Sequence, residues 1–230
     1  MKIGTDGVLL GAWASIANNP NSILDLGAGT GVIALQLAQR SDAHTVDALE
    51  IDEDAYEQCS ENFENSPWAD RLFCYHASAQ EFAMEVDETY DLIISNPPFY
   101  SEDFKTDNPA RDTARFNDSL PFEHLIVCVH NLLSEEGIFA LILPRKEEES
   151  FIAMASKAGL YPKRICRVRG KNSLEKNPSL NSDEKQEIRS LLEFTFRKTQ
   201  TKIEHLTIEI SRHNYTPEYI DLVKDFYLKM

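Results

Sequence analysis

Asn96-Pro97-Pro98-Phe99 sets a polar amide, two prolines and an aromatic ring at the end of the apolar run Tyr90 to Ser95. Leu92, Ile93 and Ile94 give that run the character of a buried strand. The four residues after it pack poorly but could hold a ligand well. The prolines remove two backbone donors and fix the chain. Each also pushes the residue before it toward extended geometry, so Asn96 and Pro97 are stiff. An amide oxygen, an aimed carbonyl and an aromatic face together suit a planar amine: two acceptors for its hydrogens and a ring for its plane. The same residues also make a plain Pro-Pro turn that ends a strand, and the tetrad alone does not choose between the two.

A second constellation is Asp25-Leu26-Gly27-Ala28-Gly29-Thr30-Gly31, between an apolar run from Ser22 and a helical pattern over Val32 to Arg40. Strand, glycine turn and helix together hold nucleotide-type ligands against a parallel sheet. Glycines let the backbone come within contact of the ligand. The spacing is G-x-G-x-G rather than the dinucleotide G-x-G-x-x-G. A carboxylate at Asp25 repels a pyrophosphate and suits an amino group, which favours S-adenosylmethionine. Glu50 ends the next apolar run, His44 to Ile51, 23 positions after Gly27. An acid there accepts both ribose hydroxyls; the plainer reading is an exposed strand-end glutamate.

The elements that position these residues follow from periodicity and punctuation. Thr5 or Asp6 reads as the cap of a first helix that carries Val8 to Ala14 and ends by Asn18-Asn19-Pro20. Asp52 to Asn65 reads as a helix, Leu72 to Ala77 as a third strand with Ser78-Ala79 after it, and Tyr90 to Ser95 as the fourth. Ser119 to Leu133 is a helix capped by Ser119, Gly137 to Leu143 a strand, and Glu147 to Ala158 a helix. Tyr161 to Val168 and Ser190 to Phe196 are strands, with another over Leu206 to Ile210. Thr216-Pro217-Glu218 opens a last helix. Two polar stretches, 101–117 and 170–187, read as a flap and a mobile excursion. In open α/β sheets ligands bind beyond the carboxyl ends of the strands, so the chemical residues converge there.

Composition narrows the classes. No apolar run reaches the ~20 residues of a membrane helix, and Met1 to Asp6 lack a signal peptide's apolar core. Cys59, Cys74, Cys128 and Cys166 show no Cys-x-x-Cys pair, and the six histidines show no ligand spacing. That predicts free thiols in a reducing, cytoplasmic setting and no metal site. The net charge of −15 argues against indiscriminate nucleic-acid binding. The charge is uneven: residues 1–160 carry −19, whereas 161–202 carry +6, with Arg164, Arg167 and Arg169 on one strand. The basic stretch is either a solvated loop region or a landing strip for phosphates. No linker or internal repeat divides the chain, so residues 1–230 read as one domain with a basic, partly mobile, substrate-facing region at about 161–202.

Asp25 to Gly31 with Asn96 to Phe99 resembles the amino-methylating branch of the class I S-adenosylmethionine-dependent methyltransferases. Gly4-Thr5-Asp6-Gly7-Val8-Leu9-Leu10-Gly11-Ala12-Trp13, Tyr215-Thr216-Pro217-Glu218-Tyr219 and Asp225-Phe226-Tyr227-Leu228 resemble the bacterial tRNA1(Val) adenine-37-N(6)-methyltransferase family. The resemblance spans nearly the whole chain. It implies an α/β fold: a Rossmann-like seven-stranded sheet of order 3-2-1-4-5-7-6, last strand antiparallel, with helices on both faces. It implies tRNA as partner and S-adenosylmethionine as methyl donor. The donor's methionine end would lie on Asp25, Gly27, Gly29 and Gly31 under Thr5 and Asp6. Its ribose would lie on Glu50 with Ile51 adjacent, and its adenine near Ser78 and Ala79. Asn96, Pro97, Pro98 and Phe99 would be catalytic, with Asn96 also beside the donor. Ser78 departs from the acid the family often carries for the adenine amine, and the 170–187 excursion is longer than usual. Other readings remain: the same chemistry on a protein glutamine or an rRNA guanine, a cofactor-binding scaffold without catalysis, and a dinucleotide dehydrogenase.

Overall fold

The computed structural model describes residues 4–98, 120–171 and 187–229. Phe99, the 101–117 flap, Ser119 and nearly all of the 170–187 excursion lie outside the described residues.

Four parallel strands form the part of the sheet that carries the site: β1 (Ser22–Leu26), β2 (Thr45–Glu50), β3 (Leu72–His76) and β4 (Tyr90–Ser95). β5 (Leu133–Pro144) continues them in parallel, and β7 (Glu187–Thr195) runs antiparallel between β5 and β6 (Tyr161–Lys171). The order 3-2-1-4-5-7-6 agrees with expectation, and β8 (Lys202–Ser211) and β9 (Asn214–Tyr215) extend it to nine strands. Strands covered on both faces read as continuous apolar runs. Accordingly Leu92 to Ile94 and Ile138 to Leu143 are almost wholly buried. Fully burying such a side chain contributes about 1.5–3 kcal/mol.

One face of the sheet packs against α1 (Thr5–Trp13), α2 (Val32–Arg40), α3 (Glu53–Glu64) and α7 (Pro217–Val223), through residues such as Leu10, Leu37, Phe63 and Tyr219. The other is covered by α4 (Ala79–Glu85), α5 (Phe122–Leu132) and α6 (Glu148–Lys157), with Phe139, Phe151 and Phe194 at its centre. Side chains alternate between faces along a strand. Ile23, Val46, Ala48, Leu92 and Ile94 pack on the α1–α2 side. Asp25 and Glu50, in step with them on β1 and β2, point the same way.

Several boundaries correct the sequence reading. Gly4, not Thr5 or Asp6, occupies the N-cap of α1, so both residues lie inside its first turn. Pro121 stands at the N-cap of α5. A 3-10 turn, Arg145–Glu147, precedes α6, and Gly159 ends that helix region with φ 82°. The short α4 was not foreseen, although Ser78-Ala79-Gln80-Glu81 spells its capping box. β8 starts at Lys202 because its first residues are set by pairing with β6, Arg164 opposite Lys202, rather than by an apolar alternation.

Candidate functional site

The carboxyl ends of β1, β2 and β4 meet at the glycine bend. Ser95 lies opposite Leu26 and donates its hydroxyl to the Leu26 carbonyl at 2.8 Å, which pins the end of β4 to the start of the bend. The Gly27 and Ala28 amides both donate to the Leu49 carbonyl at 2.9 Å, so the chain curls back across β2. Gly27, Gly29 and Gly31 all have positive φ, at 75°, 58° and 77°, a conformation that strains any other residue. Gly31 is needed twice, because a Cβ there would stand 2.5 Å from a ring carbon of Phe63 and 2.8 Å from Cys59 Sγ on α3.

Glu50 locks the bend from β2. Its carboxylate accepts from the Gly29 amide at 2.7 Å, Ile51 at 2.8 Å and Asp52 at 2.9 Å. A carboxylate has about four acceptor directions, so three of them hold backbone and one is left. Ile51 follows with 47% of its surface exposed, an apolar face open beside the strand ends. His76, given no role from sequence, fixes this corner: its Nε2 lies 3.0 Å from the Ile51 carbonyl, and its ring stacks on Tyr56 at 5.1 Å.

Asp25 is fully buried, and among the described residues neither carboxylate oxygen has a hydrogen-bond partner. Burial drives its pKa up to about 7; the nearby Ala34 amide offsets part of that, and the Glu50 charge adds to it. Buried polar groups are nearly always satisfied, so an orphan at this position is costly unless something pairs with it. An ammonium group would supply the missing charge and donors. That chemistry fits the methionine end of S-adenosylmethionine, whose amino group is cationic.

Asn96 turns to the same side of the sheet, toward α1. Asn96 is half-buried, Pro97 buried and Pro98 exposed. The Asn96 Nδ2 lies 3.8 Å from the place a Cβ would take on Gly7 of α1, and Val32 Cγ1 lies 3.5 Å from the same point. Thus the Gly7 position of α1 lies between the Asn96 amide and the start of α2, with ordinary contact room on both sides. The site gathers Gly7, the glycine bend, Asp25, Glu50 and Asn96 from elements far apart in sequence. Asp6 accepts a 2.8 Å bond from Arg189 Nε on β7. No local signal could have paired residues 183 positions apart.

Ser78 has a local occupation. Its hydroxyl donates to Glu81 Oε2 at 2.8 Å and accepts from the Glu81 amide at 3.2 Å, capping α4 ahead of Ala79. The basic strip is also altered by the fold. Arg164 pairs with Glu193, Arg167 with Glu148, Arg169 with Glu187 and Arg189 with Asp6, so these arginines are not a bare positive surface. All four cysteines are free thiols. Among the described residues no cluster of three or more His, Cys, Asp or Glu could hold a metal, and no helix is long and apolar enough to cross a membrane.

A doubly covered sheet of this order, with a glycine bend and a strand-end Asn-Pro-Pro beside it, defines a class I methyltransferase. Solved structures share the fold: a predicted O-methyltransferase from Agrobacterium tumefaciens aligns over 96% of both chains at 20% identity, with a TM-score of 0.66. A putative RNA methyltransferase from Pyrococcus horikoshii aligns over 82% of this chain and 80% of its own at 16% identity, with a TM-score of 0.56. The family model described as "Methyltransferase small domain" matches residues 8–114. Curated relatives named tRNA1(Val) (adenine(37)-N6)-methyltransferase align with the entire chain. The one from Flavobacterium johnsoniae is 56% identical over 94% of its own length, that from Christiangramia forsetii 57% over 92%, and that from Pectobacterium carotovorum 38% over 88%. The chain belongs to this tRNA1(Val) (adenine(37)-N6)-methyltransferase family.

Proposed function

We propose that this enzyme, a cytoplasmic protein acting as one methyltransferase domain over residues 1–230, methylates the exocyclic amine of adenine 37 in the anticodon loop of tRNA1(Val), using S-adenosylmethionine. The observation that carries the proposal is the Asn96 amide at the end of β4, facing the first turn of α1 beside the glycine bend and the orphan Asp25. The curated relatives' shared name supports adenine as the acceptor.

S-adenosylmethionine, when bound, supplies an electrophilic methyl on a sulfonium. Asp25 pairs with its ammonium, and Thr5, Asp6, Gly27, Gly29 and Gly31 surround the methionine end. Glu50 uses its remaining acceptor capacity on the ribose, while Ile51, Ser78 and Ala79 line the adenine side. An aromatic amine is a poor nucleophile because its lone pair is spread into the ring. The Asn96 side-chain oxygen and the Pro97 carbonyl accept its two hydrogens and draw the nitrogen toward tetrahedral geometry. The stiff Asn-Pro-Pro backbone holds these acceptors in place, and positioning then does much of the work. No general base is needed before transfer. Phe99 enters on sequence grounds as the ring that stacks on the base, worth roughly 1–3 kcal/mol. A loop nucleotide leaves its stack more readily than one in a duplex, which suits this pocket to an anticodon loop. The basic 161–202 region faces the RNA in this reading.

The test is incubation with total tRNA and labelled S-adenosylmethionine, followed by nucleoside analysis. N6-methyladenosine in one valine isoacceptor is the expected product; label in protein overturns the RNA assignment. Asn96→Ala is expected to lose most turnover while keeping its affinity for S-adenosylhomocysteine. Unchanged turnover would remove Asn96 from the mechanism.

A further inference from the structure

We infer that Arg189 is a positioning residue for methyl transfer, acting through Asp6 to hold the first turn of α1 over the Asn96 end of the site. This inference rests on the proposed reaction and assigns part of its geometry to β7, a strand outside the glycine bend and the tetrad. Arg189 lies opposite Pro144, at the carboxyl edge where β5 ends. From there its Nε reaches Asp6 Oδ2 at 2.8 Å. At the next residue, Gly7, the point a Cβ would take lies 3.8 Å from Asn96 Nδ2 and 3.5 Å from Val32 Cγ1. The ion pair therefore fixes the part of α1 whose position sets the space above Asn96.

The rest of α1 has other anchors. Leu9 and Leu10 are buried in the core, and at the far end Arg164 donates to the Trp13 carbonyl at 2.7 Å and stacks over the Trp13 ring at 3.8 Å. Gly7 and Val8 are buried too, and Gln36 donates to the Val8 carbonyl at 3.1 Å, but Thr5 and Asp6 lie outside the core, at the start of the first turn. Gly4 gives it no side-chain cap, and its first intrahelical bond, Val8 amide to Gly4 carbonyl, is long at 3.4 Å. Both members of the Asp6–Arg189 pair are about 30% exposed, at 29% and 31%. A pair so exposed adds little to global stability. Its consequence is local: it decides where one turn of helix sits relative to the reacting groups.

Arg189→Ala, Arg189→Lys, Asp6→Asn and the double variant Arg189→Ala/Asp6→Asn test this in the full chain. Hydrogen exchange in the ligand-free protein is expected to quicken in Arg189→Ala at residues 8–10, whose amides bond to the carbonyls of the first turn, and to stay unchanged over 12–13, with the melting temperature unmoved. Affinity for S-adenosylhomocysteine is expected to fall about tenfold and kcat on tRNA several-fold, with Arg189→Lys recovering most of both. The double variant is expected to lose less affinity than the two single losses multiplied, because the residues act as a unit. Wild-type exchange and kinetics in Arg189→Ala, or fully multiplicative losses, would overturn the positioning role alone. Absence of methyl transfer by the wild-type chain would overturn the reaction and this role together.

Discussion

The two ends of the sheet treat buried carboxylates in opposite ways. On the β1–β2 side Asp25 is sealed from solvent with no hydrogen-bond partner among the described residues, and burial lifts its pKa to about 7. On the β6–β7 side Glu148 is equally sealed but surrounded. Arg167 grips it with two nitrogens, Arg145 stands 3.6 Å away and Ser190 donates to it. Burial would raise Glu148 as well, yet its donors outweigh burial and hold its pKa low. Glu187, with Arg145, Arg169 and His205 around it, and Glu193, with Arg164 and the Ser15 amide, follow the second pattern. A buried acid whose partners are already present is part of the architecture. A buried acid without one among the described residues suits a partner from outside, and Glu50, which holds the glycine bend, is the charged group that acts on it.

The strongest way to break the comparison is to remove the paired acid. Glu148→Ala removes the buried acceptor that Arg167, Arg145 and the buried Ser190 share. Losing one member of a buried pair costs about 3–5 kcal/mol. Urea denaturation should show a loss of this size, with no specific loss of cofactor affinity in the protein that remains folded. A near-neutral result would mean that the network contributes little and that the contrast with Asp25 is only apparent.

Removing the unpaired acid should do the reverse. Asp25→Asn keeps the shape and deletes the buried charge, so the ligand-free protein is expected to gain up to a few kcal/mol at pH 8 while losing most of its affinity for S-adenosylhomocysteine. The pH dependence follows from the raised pKa. Below about pH 4 Asp25 is protonated in both folded and unfolded chains, and its ionisation contributes nothing to stability. Between about 4 and 7 the unfolded chain ionises while the folded one keeps its proton, so Asp25's contribution to stability falls as pH rises and levels off above about 7. Glu148 has the opposite sign, since its lowered pKa makes stability fall as pH drops through the acid range. Thermal melts at pH 5 and pH 8 should therefore show the alkaline loss attributable to Asp25 vanish in Asp25→Asn. If the variant melts with the wild-type pH profile, Asp25 is not the ionising group.

The elements of both halves were readable from sequence; the side-chain partners that join the β6–β7 side were not, and one physical reason covers both outcomes. Glycines that must adopt positive φ, an acid at a strand tip and an Asn-Pro-Pro break are local in the chain and leave local marks. α2 falls on Val32–Arg40 as its pattern predicts. The β6–β7 side is joined by pairs such as Arg164–Glu193 and Arg189–Asp6, distant in sequence. The sequence shows such a region only as a surplus of basic residues. Read without its partners, that surplus fits a solvated loop region or a phosphate strip equally, and it does not reveal that the described arginines on β6 are paired with buried glutamates. β8 and β9 were underread in the same way, because a polar edge strand is defined by its neighbour's backbone.

The smallest effect is expected at Ser78, on the border between a structural and a ligand-facing role. Its hydroxyl completes a reciprocal cap with Glu81 at the start of α4. If capping is its whole task, Ser78→Ala should cost about 1 kcal/mol of stability and leave cofactor affinity alone. Ser78→Asp separates the two roles, because aspartate caps a helix as well as serine does and also brings a stronger acceptor. Retained stability with several-fold tighter S-adenosylhomocysteine binding would place this position under the adenine amine and show that the serine sacrifices affinity there. Retained stability with unchanged affinity would make Ser78 a cap and nothing more, and would move the adenine contact toward the exposed face of Ile51.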